Sequence, residues 1–193
     1  MANDGEHGFV DSYGQWALIA GGSNGLGVAF AHAAASRGLN CYLIARSSGL
    51  LAKVADEIAA RWHVEVRHHA LDLSDEGAAQ ALDKLTDGID VGLAIVNAGG
   101  DTVGTAFLNS ELDEWHALNR RNIDTLTGIC HIFGQRMVAK GKGGIILVGS
   151  DAALGGAGLL SGYTATKAYA LNLAESLWAE LRPQGVAVNF LII

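Results

Sequence analysis

The sequence predicts an α/β domain built on a doubly wound parallel sheet with helices on both faces, and three observations carry that expectation. Short, almost wholly apolar runs recur along the chain, as strands buried on both faces require. Stretches with helical spacing of apolar residues separate them. The connections are too long for hairpins, so consecutive strands are joined by right-handed crossovers and lie parallel.

In chain order, Trp16 to Ala20 is the first strand, followed by a glycine-rich turn and a helix from Val28 to Arg37. Cys41 to Ala45 is the second strand and Leu50 to Trp62 the second helix. The mixed run Val64 to Leu71 gives the third strand, Ala78 to Leu85 a helix, and Leu93 to Val96 the fourth strand. A long helix spans Glu111 to Lys140, and Ile145 to Val148 is the fifth strand. The last helix, Tyr163 to Leu181, is closed by Pro183 and Gly185. Val186 to Ile193 is a sixth strand within which the sequence stops. No linker, repeat or low-complexity segment divides the 193 residues, so one domain is expected, with residues 1–14 as an N-terminal extension.

Composition excludes several classes. Hydrophobic residues make up 50% against 17% charged, so apolar burial offsets chain entropy and disorder is excluded. A net charge of −7 and a pI near 5.4 make the whole body repel nucleic acid and anionic membrane, and neither is expected as a partner. Cys41 and Cys130 lie in apolar surroundings without CxxC spacing and read as buried hydrophobes of a reducing compartment. Asp4, Glu6 and Asp11 interrupt the start of the chain, and no apolar run reaches about 18 residues, so neither a secretory leader nor a membrane span is expected. The expected location is cytoplasmic. His63, His68 and His69 lack any metal-ligand spacing, and no metal is expected.

The chemistry-bearing residues fall at strand ends. The first strand runs into Gly21-Gly22-Ser23-Asn24-Gly25-Leu26-Gly27 and then a helix, which suits a pyrophosphate held by close backbone approach and a helix N-terminus. The spacing is GxxxGxG, and an ordinary glycine-rich turn is the alternative. After the second strand, Ala45 cannot bind a ribose hydroxyl, whereas Arg46 can pair with a 2′-phosphate or be a solvated loop arginine. Asp72-Leu73 offers a carboxylate to an adenine amino group or a cap to the next helix. Asn97-Ala98-Gly99 places small residues at the switch-point crevice, or Asn97 simply orders the turn, and Ser150 places a hydroxyl on the same rim, or is an ordinary loop serine. Tyr163 and Lys167 share a helical face, where an ammonium can stabilise a phenolate, or they form a plain surface pair.

The ordered set GxxxGxG, Asp72, Asn97-Ala98-Gly99, Asn122, Ser150 and Tyr163-xxx-Lys167 resembles the short-chain dehydrogenase/reductase family from Trp16 to Ile193. The resemblance implies a compact Rossmann-like domain and a catalytic tetrad of Asn122, Ser150, Tyr163 and Lys167. It implies hydride transfer between NADP(H), with NAD(H) as the second cofactor, and an alcohol or ketone. In that scheme Ser150 binds the carbonyl oxygen, Tyr163 protonates it, Lys167 serves the tyrosine and the nicotinamide ribose, and Asn122 holds a water. The glycine loop, Arg46, Asp72, Leu73, Asn97, Ala98, Gly99, Tyr163 and Lys167 then bind the cofactor. A homodimer or homotetramer is implied, paired through the Glu111 to Lys140 and Tyr163 to Leu181 helices, whose apolar residues exceed what one sheet face covers. A non-catalytic nucleotide sensor or scaffold of the same fold is the alternative, against which both Tyr163 and Lys167 are retained. Ala20 and Val96 depart from the family's usual threonine and asparagine. The family normally continues past the position of Ile193 with a covering segment and strand, so the natural chain is expected to continue and the C-terminal part to be missing.

Overall fold

The computed structural model describes residues 8–100 and 103–193. Its elements are α1 (Phe9–Tyr13), β1 (Trp16–Ala20), α2 (Gly25–Ala35), β2 (Asn40–Ala45), α3 (Ser48–Trp62), β3 (Val66–Ala70), α4 (Ala78–Leu85), β4 (Val91–Val96), α5 (Leu112–Asn119), α6 (Thr125–Lys140), β5 (Gly143–Val148), α7 (Ser161–Leu181) and β6 (Val186–Leu191). The strands form one parallel sheet in the order β3-β2-β1-β4-β5-β6. The doubly wound α/β expectation is borne out. Strand order reverses between β1 and β4, which opens a crevice at their carboxyl ends. Ala20 is in register with both Ile44 and Val96, so three strands end level at that crevice.

The apolar runs carry no polar alternation because each face of the sheet is covered. Ala17, Ile19, Leu43 and Ile95 pack with Ala31, Leu51 and Ile58 of α2 and α3. Leu18, Ala94 and Ile145 pack on the other face with Leu82, Ile129, Phe133 and Ala170 of α4, α6 and α7. Burying a side chain such as Leu18, Ile19 or Phe133 contributes about 1.5–3 kcal/mol. β3 is the exception: from Arg67 to Ala70 it is an exposed edge, which explains its mixed composition and places His68 and His69 at the surface.

Three expectations are corrected. The helix after β1 begins at Gly25 rather than Val28, because the Asn24 side chain accepts from the Gly25 N–H at 2.7 Å and caps it there. The single helix expected from Glu111 to Lys140 is two helices joined by a π-helical turn, Arg120–Asp124. One turn there holds an extra residue, a form that concentrates at functional sites. The apolar residues thought to exceed the sheet are largely covered within the chain: Leu118, Leu126, Ile129 and Phe133 are buried, while Leu112, Tyr169 and Trp178 are left exposed. Residues 1–7 of the expected extension lie outside the described residues. Its remainder supplies α1, whose Tyr13 packs against Gly92 and Gly144 so closely that neither position has room for a side chain.

Candidate active site

The β1–α2 turn is pressed onto the end of β4. Gly21 has φ +91°, and a Cβ there would stand 2.7 Å from the Ala98 nitrogen, so both its conformation and its neighbour demand glycine. A Cβ on Gly27 would run into the Gly21 carbonyl oxygen. Asn97 donates from Nδ2 to that same oxygen at 3.0 Å, and the Ala20 carbonyl accepts from the Asn97 and Ala98 N–H groups at 2.9 and 2.8 Å. With alanine at position 20, the bracing therefore comes from backbone and the Asn97 carboxamide.

A cavity of about 400 Å³ opens beside this turn. Of the residues singled out in the sequence, Gly21, Ser23, Asn24, Arg46, Asp72, Leu73, Ala98 and Gly99 line it. Gly25, Leu26, Gly27 and Asn97 do not, since the first three form the opening of α2 and Asn97 is turned onto Gly21. Asp72 does not cap α4, whose N-cap is Gly77 without a side-chain bond. Its Oδ1 instead accepts from the Ser74 N–H and hydroxyl at 2.9 and 2.6 Å. Burial pushes the Asp72 carboxyl upward, but the Ser74 bonds and the Arg46 and Arg121 charges outweigh it and hold the group below its ordinary value. Thr125 and Arg120 donate to the Leu73 and Ser74 carbonyls at 2.9 and 2.8 Å, which pins this loop to the π turn.

Two residues of the expected tetrad, Asn122 and Lys167, lie behind the cavity wall at Gly99. Gly99 is the shared partition: a Cβ on it would stand 3.1 Å from Lys167 Nζ and 3.5 Å from Asn122 Oδ1. Lys167 is buried, donates to the Val148 carbonyl at 2.9 Å, and sits 5.6 Å from the centre of the Tyr163 ring. Burial, and then the Arg121 charge, lower its pKa to about 8. Asn122, on the π turn, donates to Thr166 Oγ1 at 3.1 Å, and Thr166 donates to the Tyr163 carbonyl at 2.8 Å. Ser150 is buried; its Oγ accepts from the Ala152 N–H at 3.3 Å and donates to Asp151 Oδ1 at 3.1 Å.

Sequence reasoning missed Arg121, Thr166 and Asp151. Arg121 donates to the Gly100 carbonyl at 2.8 Å and to Asn122 Oδ1 at 3.3 Å, and it lines the cavity. Its signal was a charge directly beside Asn122. Thr166 lay in plain view between Tyr163 and Lys167, but only the fold shows that it faces Asn122.

The short chain dehydrogenase family model matches residues 15–192. A very-long-chain 3-oxoacyl-CoA reductase-like protein of Arabidopsis thaliana is 33% identical over 182 residues, covering 92% of this chain and 58% of its own length. The chain thus spans little more than half of that relative. A structure described for 7beta-hydroxysteroid dehydrogenase stereoselectivity superposes with TM-score 0.92 at 27% identity, over 96% of this chain and 71% of the other. A short-chain dehydrogenase from Sphingobium yanoikuyae in complex with NADPH superposes with TM-score 0.87 at 30% identity, over 92% and 70%. From the braced glycine turn, the lysine behind Gly99 and a family match across nearly its whole length, it follows that this chain belongs to the short chain dehydrogenase family.

Proposed function

We propose that the protein is an oxidoreductase that moves a hydride between NADP(H) and the carbonyl carbon of an apolar ketone, or the corresponding alcohol. One observation carries the reading: a buried ammonium, Lys167, lies directly behind the cavity-lining Gly99 and beside the Tyr163 ring. Burying a cation is costly, and a proton-transfer site that must favour a phenolate gives a reason for it.

The residues present fit a dinucleotide. The turn at Gly21 and Ser23 would take the pyrophosphate, Asp72 and Leu73 the adenine, and Lys167 the nicotinamide ribose. Arg46 makes none of the ion pairs among the described residues and, with Ser47 beside it on the cavity wall, would take a 2′-phosphate. NADPH in the Sphingobium relative supports that choice. The bound nicotinamide supplies or accepts the hydride. The chain does the remaining work: Ser150 holds the carbonyl oxygen, Tyr163 gives it the phenolic proton, and the Lys167 charge stabilises the phenolate left behind. Asn122 fixes the first turn of α7 through Thr166, so the tyrosine stays in place.

The apolar surroundings favour a hydrophobic substrate. Leu154 and Leu159 stand exposed on the loop after Ser150, and Trp115, stacked on Phe107, packs against Gly162 at the start of α7. The names of the relatives, a 3-oxoacyl-CoA reductase-like protein and a hydroxysteroid dehydrogenase, point to the same class. Following NADPH absorbance with a panel of apolar ketones tests the reading. Reproducible turnover is expected, and tight cofactor binding without turnover of any ketone would favour a nucleotide-binding role without catalysis.

A further inference from the structure

Asp151 is the only charged side chain between Lys142 and Lys167, a stretch that contains the end of β5, Ser150 and the whole loop into α7. It makes none of the ion pairs among the described residues. Its carboxylate takes the single proton of the Ser150 hydroxyl at 3.1 Å. The backbone keeps it there. Gly149 donates to the Leu191 carbonyl at 2.8 Å and Asp151 to the Ile193 carbonyl at 3.3 Å, tying the chain on both sides of Ser150 to the end of β6 and the residues just after it. Ser150 also caps the short 3₁₀ turn Asp151–Leu154 by accepting from the Ala152 N–H, which fixes the serine and aspartate relative to one another.

We propose that Asp151 is a specificity-determining residue, a resident carboxylate at the carbonyl-binding serine that turns away substrates carrying an anionic group close to the reacting carbon. The proposal rests on the reading that Ser150 receives the carbonyl oxygen. A neutral ketone displaces the carboxylate from the serine proton and leaves it to water, which its exposure permits. A keto acid must bring a second carboxylate to within a few ångströms of the first, where the repulsion at intermediate effective dielectric amounts to roughly tenfold in kcat/KM.

The test uses the full chain with NADPH and two matched compounds, ethyl acetoacetate and acetoacetate, compared by kcat/KM in the wild type, Asp151→Asn and Asp151→Glu. The ester-to-acid ratio is expected to fall roughly tenfold in Asp151→Asn, which keeps the acceptor and loses the charge, and to be restored in Asp151→Glu. A merely structural aspartate would move both compounds alike. A ratio within twofold of wild type in Asp151→Asn overturns the role of Asp151 and leaves the ketone-reductase reading standing. Failure of the wild type to turn over either compound or any apolar ketone, with NADPH bound, removes that reading and this proposal with it.

Discussion

Lys167 donates its ammonium to the Val148 carbonyl at 2.9 Å, two residues before Ser150 on the same strand end. The strand that presents the serine thereby also anchors the lysine, and the pair keeps its spacing without a direct bond. The lysine is buried and its pKa is lowered to about 8, by burial first and the Arg121 charge second. Below pH 8 the folded and unfolded chains both hold this proton. Between about pH 8 and the ordinary lysine value near 10.4, the unfolded chain binds more protons, so this group makes stability rise with pH in that window. Activity is expected to move the other way if, as proposed, the charged form serves the tyrosine and the ribose. The kcat/KM for NADPH is expected to fall with a midpoint near pH 8. In Arg121→Gln the midpoint is expected at higher pH, and superimposable profiles for the two proteins would remove Arg121 from this role.

Gly27→Ala is expected to destabilise the domain by about 1–3 kcal/mol, as overpacking does. The new methyl would meet the Gly21 carbonyl oxygen that Asn97 also uses, and NADPH binding should be lost with the turn. Gly49→Ala, in the first turn of α3 with open space around its Cβ, serves as the control and should stabilise by about 0.5–1 kcal/mol. Urea unfolding of both variants, with NADPH titration, checks the pair.

Arg46→Ala is expected to raise the NADPH dissociation constant at least about tenfold, the loss of one hydrogen bond to a charged phosphate, while NADH binding changes little. Fluorescence titration with both cofactors reads this. Equal losses for the two would show that Arg46 does not meet the 2′-phosphate.

Self-association is expected from the family resemblance, through the outer faces of α6 and α7. Most apolar residues of these helices are already covered, which leaves Trp178 and the Thr127–Tyr169 hydrogen bond on that surface. Light scattering at micromolar concentration should give at least twice the chain mass, and a monomer mass would contradict it.

Much of the fold was legible because most of its strands are buried on both faces: Trp16–Ala20 was placed to the residue, and no strand among the described residues was missed. The cavity wall was legible too, since Gly21, Arg46, Asp72 and Gly99 follow strand ends whose positions the parallel order dictates. What escaped depended on contacts distant in sequence or on backbone irregularity. The π turn at Arg120–Asp124 has no periodicity of its own and hides inside a helical pattern. The start of α2 was missed because glycines were counted as loop, although the Asn24 cap decides the boundary. The Ser150–Asp151 bond joins adjacent residues, yet only the fixed 3₁₀ turn shows that the hydroxyl points to the carboxylate.

On the proposed mechanism Tyr163 delivers the proton from its place beside Lys167. Single-turnover reduction of an apolar ketone by NADPH, measured for wild type and Tyr163→Phe alongside the NADPH dissociation constant, tests it most directly. The Tyr163→Phe rate is expected to be lower by about 10²- to 10⁴-fold, with cofactor binding and thermal unfolding near those of the wild type. A Tyr163→Phe rate within a few-fold of wild type would contradict it.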